Sequence, residues 1–172
     1  DPRVIYHRHE RNIGGAANFR FGLGAVETPL FSILSDDDFL LPDFYRIAVG
    51  ELARDPGAGF FCGQTVMFEA ETGLHSLRPR GGWADGRHAA GRSAPLMLGR
   101  PFTWTSCVFR REVLDGVTLE DYPAADVMFL ARAAALFPFI VRLLPCAVFT
   151  VTASNYSATM PLPELVRSRD AM

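Results

Sequence analysis

The chain has 172 residues, of which 49% are hydrophobic and 21% are charged, the composition of one globular domain with a core of its own. The net charge is −2, so no bulk attraction to nucleic acid is expected. Three widely spaced cysteines form no CxxC pair, which argues against a zinc knuckle or a disulfide framework and favours a reducing, cytoplasmic setting.

The beginning of the chain alternates apolar and turn-forming segments. Residues 3–7 predict a short strand, and the small residues from Asn12 onward predict a turn that becomes a helix up to about residue 26. Residues 30–34 are a continuous apolar run, as expected of a strand buried in a parallel sheet. Because the chain opens on the approach to a strand and without a methionine, we expect it to be part of a longer protein.

Three consecutive aspartates, Asp36, Asp37 and Asp38, follow that predicted strand directly. Pro42 comes next at a position typical of a first helical turn, and residues 43–54 predict an amphipathic helix. Adjacent carboxylates repel one another, and a hard divalent cation offsets that repulsion. An acidic cluster is also typical of a solvated turn or a helix cap. Its place at the end of a strand favours ligand binding, because open α/β sheets bind ligands there.

The rest of the chain predicts three further strands and a helix around a long loop. Residues 69–101 are rich in glycine, proline and arginine and predict a loop with a short helix near residue 96. Arginines and prolines interrupt the apolar stretch 127–151, so a helix and a strand are expected there rather than a membrane span. The predicted elements are strands over 59–68, 102–109 and 139–151, and a helix over 121–137. This alternation indicates an α/β fold with a largely parallel sheet.

The helix over residues 121–137 opens with candidate acid–base groups. Asp126 lies in its first turn, where a carboxylate serves either as a general base or only as a complement to the helix dipole. Glu120 and Asp121 compete for both roles, and spacing alone does not choose among the three.

Other residues suit the binding of a phosphate or a sugar. Small residues around Gly14 precede a helix, which lets a phosphate or a sugar approach the backbone, although Gly-Gly before a helix is also an ordinary turn. Trp83, Trp104 and Tyr122 either stack on a sugar ring or fill the core.

Together these segments resemble the family 2 glycosyltransferases of the GT-A fold, from Arg3 to about Ser157. RNIGGAANF (residues 11–19) followed by ILSDDDFLLP (residues 33–42) is similar to the family's asparagine–glycine helix and its DXD-type motif. AADVMFLAR (residues 124–132) resembles the family's Glu-Asp helix, with Ala125 in place of the Glu and Asp126 in the position of the catalytic base. FTVTASNYS (residues 149–157) resembles a strand ending in which Thr replaces the usual Arg and His.

The resemblance implies a GT-A-like fold, an open and mostly parallel sheet flanked by helices that lacks part of the N-terminal nucleotide-binding half. Residues 1–160 would form one partial catalytic domain, and residues 161–172 would form a C-terminal tail. The SDDD form of the motif is similar to that of members that build bacterial surface polysaccharides.

The implied activity is a metal-dependent, inverting transfer of a hexosyl or deoxyhexosyl group from a nucleotide-diphosphate sugar to a hydroxyl of a saccharide or lipid-linked acceptor. Asp126 would be the catalytic base, and Trp104 and Thr105 would bind the acceptor, which residues 75–101 would help to frame. Mg²⁺ or Mn²⁺ would be held by Asp37 and Asp38. The residues expected to bind the nucleotide sugar are Asn12, Gly14, Asn18, Asp36 and Asp37. The expected location is the cytoplasm, at the inner face of the membrane where the acceptor is lipid-linked.

Two other functions stay open. A truncated GT-A-like domain would keep the fold and act only in binding or interaction. A nucleotidyltransferase uses the same metal–phosphate chemistry, but it normally has an N-terminal glycine-rich loop with arginine and lysine, and the sequence contains no such loop.

Overall fold

The computed structural model describes residues 1–120 and 124–153, which form a seven-stranded sheet with helices packed on both faces. The helices are α1 (Gly15–Gly24), α2 (Phe44–Arg54), α3 (Ala94–Gly99), α4 (Val113–Gly116) and α5 (Ala125–Leu136), with a 3₁₀ turn at Trp104–Ser106. The strands are β1 (Leu30–Phe31), β2 (Phe39–Leu40), β3 (Phe60–Glu69), β4 (His75–Arg78), β5 (Gly86–His88), β6 (Cys107–Arg110) and β7 (Phe139–Val151). The expected α/β architecture is confirmed.

The strand order is β1-β6-β3-β7-β2, with β4 paired to β3 and β5 paired to β7. Among the pairings that the described residues form, the β3–β7 pair is parallel and the other five are antiparallel. The sheet is therefore mixed and not mostly parallel as expected. Because β6 runs antiparallel between β1 and β3, its amino end lies at the same edge of the sheet as the carboxyl ends of β1 and β3. This arrangement brings the segment after β1 and the segment before β6 together.

The core has two apolar layers because the strands alternate their side chains between the two faces of the sheet. Phe60 packs on the side of α5, where its ring stacks on Phe139 with centroids 4.6 Å apart, and Phe61 packs on the side of α2. Helix α2 buries three residues spaced four apart, the spacing of one helix face: Phe44, Ala48 and Leu52. Helix α5 buries five residues beyond its first turn: Phe129, Leu130, Ala131, Ala133 and Ala134.

The parallel β3–β7 pair contains an irregularity next to Gly63, where the register shifts. A Cβ atom added to Gly63 would overlap the Sγ atom of Cys146. This contact is far too short for any side chain, so the close approach of the two strands requires glycine at this position.

Several predicted elements have different bounds in the structure. Residues 3–7 are not a strand, and the Ile5 side chain is 92% exposed, because no strand of the described chain pairs with this segment. The strand expected over 30–34 is only two residues long. The long loop over 69–101 contains β4, β5 and α3, and the strand over 102–109 begins with the 3₁₀ turn. Residues 121–123, at the start of the predicted helix, lie outside the described residues.

The apolar stretch 127–151 forms most of α5 followed by β7. Within residues 1–120 and 124–153, none of the helices combines the length and the apolar character needed to cross a membrane. The expectation of a helix followed by a strand is confirmed.

Candidate active site

The three aspartates lie on a turn between β1 and β2, and they differ in exposure. The backbone N–H of Asp38 donates to the carbonyl oxygen of Ser35 over 3.3 Å, which closes the turn and places Asp36 and Asp37 at its tip. Asp36 and Asp37 are exposed, whereas Asp38 is only 6% exposed. The triplet therefore presents two carboxylates to solvent and points the third into the protein.

The Asp38 carboxylate is held by two protein donors. The Thr105 hydroxyl donates to Oδ2 over 2.7 Å, and the Thr150 N–H donates to Oδ1 over 3.1 Å. Burial raises the pKa of Asp38, while these two hydrogen bonds oppose the rise, and the charges of Asp37 and Asp36 add to it. Asp38 therefore ties the aspartate turn both to the segment before β6 and to the end of β7.

The metal role predicted for Asp38 stays a prediction, and the structure shows that both of its carboxylate oxygens accept hydrogen bonds from the protein and that the side chain is buried. The exposed pair, Asp36 and Asp37, stays in reach of a cation in solvent. In the part of the chain that the structure describes, no group of three or more His, Cys, Asp or Glu side chains is placed to hold a metal. Asp37 as a metal ligand remains a prediction.

The segment Thr103–Ser106, which we call the linking segment, contacts α1, the aspartate turn and β3. Trp104 packs its ring against Phe19 of α1, with centroids 4.6 Å apart. Thr105 binds Asp38, and Thr103 hydrogen bonds through its hydroxyl to the buried Thr65 of β3. This segment thus fixes α1, the aspartate turn and β3 relative to one another.

The burial of the linking segment argues against the acceptor-binding role predicted for Trp104 and Thr105. Trp104 is 8% exposed and belongs to the main core cluster, and Thr105 is fully buried with its hydroxyl committed to Asp38. Neither side chain is accessible to a sugar. The run TWTS between Phe102 and Cys107 could have indicated this burial from the sequence. Hydroxyl side chains at a buried strand end need polar partners within the protein.

A first cleft lies at the amino end of α1. It has a volume of about 440 Å³ and is lined by residues 8–15 and Asn18, and we call it the Asn12 cleft. The Asn12 side-chain oxygen accepts the N–H of Gly14 over 2.8 Å, and Gly14 has a φ of 81°, a conformation that favours glycine. No side chain of the described residues caps the first turn of α1, so its N–H groups face this cleft uncapped.

A second cleft, which we call the Asp126 cleft, has a volume of about 470 Å³. It is lined by Met67, Phe102, Thr103, Asp126, Val127 and the segments 78–80 and 99–101. Residues from the predicted loop 69–101 therefore do lie beside Asp126. Thr103 places the linking segment at the wall of this cleft.

Asp126 is partly buried in the first turn of α5, directly after Ala124 and Ala125. Burial raises the pKa of its carboxyl, and the backbone N–H groups of Val127 and Asp126 itself partly oppose the rise. A carboxylate with a raised pKa at the wall of a cleft is suited to accept a proton.

The structure narrows the choice among the three acidic residues near α5. Glu120 is exposed and accepts a hydrogen bond from Arg132 over 2.6 Å, which lowers its pKa and makes it a weaker base. Asp121 lies outside the described residues, as does Tyr122. Trp83, the other aromatic candidate, is 7% exposed and donates its ring N–H to the Arg100 carbonyl, so it belongs to the core. Asp126 is left as the candidate base among the described acidic residues of this region.

Comparison with known proteins relates this geometry to a family. The sequence profile of Glycosyl transferase family 2 matches residues 1–118. The fold is similar to that of S. aureus TarS 1–349 in complex with UDP-GlcNAc, with 12% identity, a TM-score of 0.62 and coverage of 83% of this chain and 40% of that chain. It is likewise similar to S. aureus TarS 1–349 at 13% identity, a TM-score of 0.61 and coverage of 83% of this chain and 42% of that chain. No curated protein sequence matches the chain.

These matches differ in what they cover. The family profile includes the Asn12 cleft, the aspartate turn and the linking segment, and it ends before α5. The chain spans about two fifths of the length of the TarS chains. At such low identity the structural likeness shows the fold, so the role of Asp126 depends on the geometry of its cleft.

Proposed function

The chain belongs to glycosyl transferase family 2, and from this premise we propose that the protein transfers a sugar from a nucleotide-diphosphate sugar to an acceptor hydroxyl with inversion at the anomeric carbon. The observation that carries the proposal is that the linking segment connects the two sites with candidate carboxylates, the aspartate turn and the Asp126 cleft. Thr105 binds the aspartate turn, and Thr103 lines the Asp126 cleft two residues away. One site suits a diphosphate, and the other suits a hydroxyl.

We assign the donor to the Asn12 cleft and the exposed aspartates. The uncapped N–H groups at the amino end of α1 attract an anion, because a helix amino terminus carries partial positive charge. Arg8 and Arg11 line the same cleft and add positive charge. Support for a nucleotide-sugar donor comes from the TarS structure, whose bound molecule is UDP-GlcNAc.

A divalent cation fits the donor site by the chemistry of its ligands. Asp36 and Asp37 offer exposed carboxylate oxygens, the ligand type that Mg²⁺ and Mn²⁺ prefer, and Asp37 is the residue that we assign to the metal. When bound, the cation would offset negative charge on the departing diphosphate. Asp38 is a positioning residue for this site, because its side chain is buried and its hydrogen bonds hold the aspartate turn in place.

Asp126 is the proposed general base. Its carboxylate takes the proton of the acceptor hydroxyl while the acceptor oxygen bonds to the anomeric carbon, and the bond from that carbon to the diphosphate oxygen breaks on the opposite side. One such displacement inverts the anomeric centre, and the nucleoside diphosphate leaves with the bonding electrons. Positioned proton transfer of this kind contributes about 10²–10⁴-fold in rate.

We further propose a hexosyl or deoxyhexosyl transfer to a saccharide or lipid-linked acceptor in surface polysaccharide synthesis, at the inner face of the membrane. The support is the SDDD form of the motif, which resembles that of family members with this role.

The test is a titration of the protein with UDP-GlcNAc in Mn²⁺ and in EDTA, followed by NMR of the transfer product. We expect metal-dependent binding and a β-linked product from the α-linked donor. An α-linked product would exclude a single displacement. Binding without any transfer to a panel of saccharides would support the non-catalytic alternative.

A further inference from the structure

The Asp126 cleft is lined by three arginines that the proposed transfer does not use. Arg78 ends β4, Arg80 follows it, and Arg100 follows α3, and all three line the cleft and are exposed. They come from two separate segments that the fold brings together around one opening. Asp126 is the only carboxylate among the described residues that line this cleft.

These arginines have no carboxylate partner in residues 1–120 and 124–153. Other arginines of the chain do pair: Arg87 lies 2.7 Å from Asp55, and Arg142 lies 2.9 Å from Glu51. Arg78, Arg80 and Arg100 form no such ion pair, and none of the three lies within ion-pair distance of Asp126. Within the described residues, these arginines therefore neither form an ion pair that stabilises the fold nor neutralise the candidate base.

Arg100 is held in place by its surroundings. Its Nη1 atom donates to the Arg80 carbonyl oxygen over 3.0 Å, and its own carbonyl accepts the ring N–H of the buried Trp83 over 2.8 Å. A Cβ atom on Gly82 would lie 3.1 Å from the Arg100 side chain, so the loop packs closely around it. The guanidinium group is thus fixed at the cleft, which reduces the entropy lost when a ligand binds.

From this arrangement we infer that the acceptor is an anionic saccharide, whose phosphate or carboxylate group binds to Arg78, Arg80 and Arg100 while its hydroxyl faces Asp126. Three like charges around one opening repel one another, and an anionic group relieves that repulsion while it receives charge-assisted hydrogen bonds. The inference rests on the proposed function, because it takes the cleft around the base as the acceptor site. The donor diphosphate already has cationic partners in the Asn12 cleft, at Arg8 and Arg11.

The experiment measures binding without turnover. Glucose 6-phosphate, glucuronic acid and glucose would be titrated by NMR into the protein, into the Arg78→Gln/Arg80→Gln double variant and into an Arg92→Gln control. Arg92 is exposed and lies outside the cleft, so its substitution removes one positive charge at another place on the surface. The melting temperature of each variant checks that the fold is retained.

We expect one or both anionic sugars to bind roughly tenfold or more tightly than glucose, the effect of one charge-assisted hydrogen bond. The double variant should lose this preference and the control should keep it. The two anionic sugars separate a phosphate from a carboxylate as the recognised group. Equal binding of the three sugars, or a preference that survives in the double variant, would overturn the inference.

A parallel titration with UDP-GlcNAc separates this inference from the proposed function. If the double variant loses donor affinity, the arginines hold the donor diphosphate and the inference is wrong. If the unmodified protein binds an anionic sugar but not UDP-GlcNAc, the donor assignment fails and the anion site stands.

Discussion

Asp38 and Asp126 are both carboxylates whose pKa is raised by burial, yet the structure gives them opposite surroundings. Asp38 accepts hydrogen bonds from Thr105 and Thr150 and is closed to solvent. Among the described residues, the partners of Asp126 are the backbone N–H groups of Val127 and of Asp126 itself, and its side chain lines a cleft. A raised pKa therefore identifies a base only where a substrate can reach the carboxylate, and in Asp38 it accompanies a role in positioning.

The largest effect should follow Asp126→Asn. The amide keeps the shape of the side chain and cannot accept the acceptor proton, so we expect kcat to fall by about 10²–10⁴-fold. Asp115→Asn, an exposed acidic position on α4, is the matched control and should leave kcat unchanged. Steady-state transfer assays measure both. Near-normal turnover of the Asp126 variant would show that another group is the base.

The same substitution should stabilise the fold at neutral pH. The pKa of Asp126 is higher in the folded protein than in the unfolded chain. The free energy of unfolding of the unmodified protein therefore falls as the pH rises through the raised pKa. The Asp126→Asn variant has no carboxyl at this position and does not lose this stability. Activity has the opposite dependence, since the base works only when ionised. Thermal unfolding of the unmodified protein and of Asp126→Asn at several pH values measures the sign of the stability difference between them. A variant that is less stable at pH 7 contradicts it.

A smaller effect is expected at the anchor of the aspartate turn. Thr105→Val removes the hydroxyl that binds Asp38 and leaves a buried carboxylate oxygen without that partner, which should cost about 1–3 kcal/mol in unfolding free energy. Thr118→Val, at an exposed position, serves as the control. Chemical denaturation reads the difference, and Asp38→Asn in the Thr105→Val background should recover part of it. Equal stability of the Thr105→Val and Thr118→Val variants would show that the hydrogen bond to Asp38 does not hold the turn in place.

The smallest effect concerns the backbone before Asp126. Ala124 has a φ of 61°, in the left-handed region that costs a residue with a Cβ about 1–2 kcal/mol. Ala124→Gly should therefore raise stability by about 1 kcal/mol, whereas Ala135→Gly, at an exposed position inside α5, should lower it by about the same amount. Thermal unfolding of both variants is the measurement. Destabilisation by both would indicate that Ala124 is not strained.

The sequence predicted those parts of the site that depend only on residues close together in the chain. The apolar run before the aspartates, the glycines before α1 and the position of Asp126 in a first helical turn all follow from neighbouring residues. The role of Asp38 could not be predicted in this way, because its partners lie 67 and 112 residues away in the chain. The burial of Trp104 and Thr105 could not be predicted for the same reason, since only the strand order shows that their segment is enclosed.

The central claim is that the aspartate turn binds the donor and that Asp126 acts only in the transfer step. Titration of UDP-GlcNAc with Mn²⁺ into Asp37→Asn and Asp126→Asn, together with single-turnover transfer by each, tests this division directly. We predict that Asp126→Asn binds the donor as tightly as the unmodified protein and transfers slowly, and that Asp37→Asn loses metal-dependent binding. Loss of donor binding in Asp126→Asn, or unchanged metal-dependent binding in Asp37→Asn, would contradict the account.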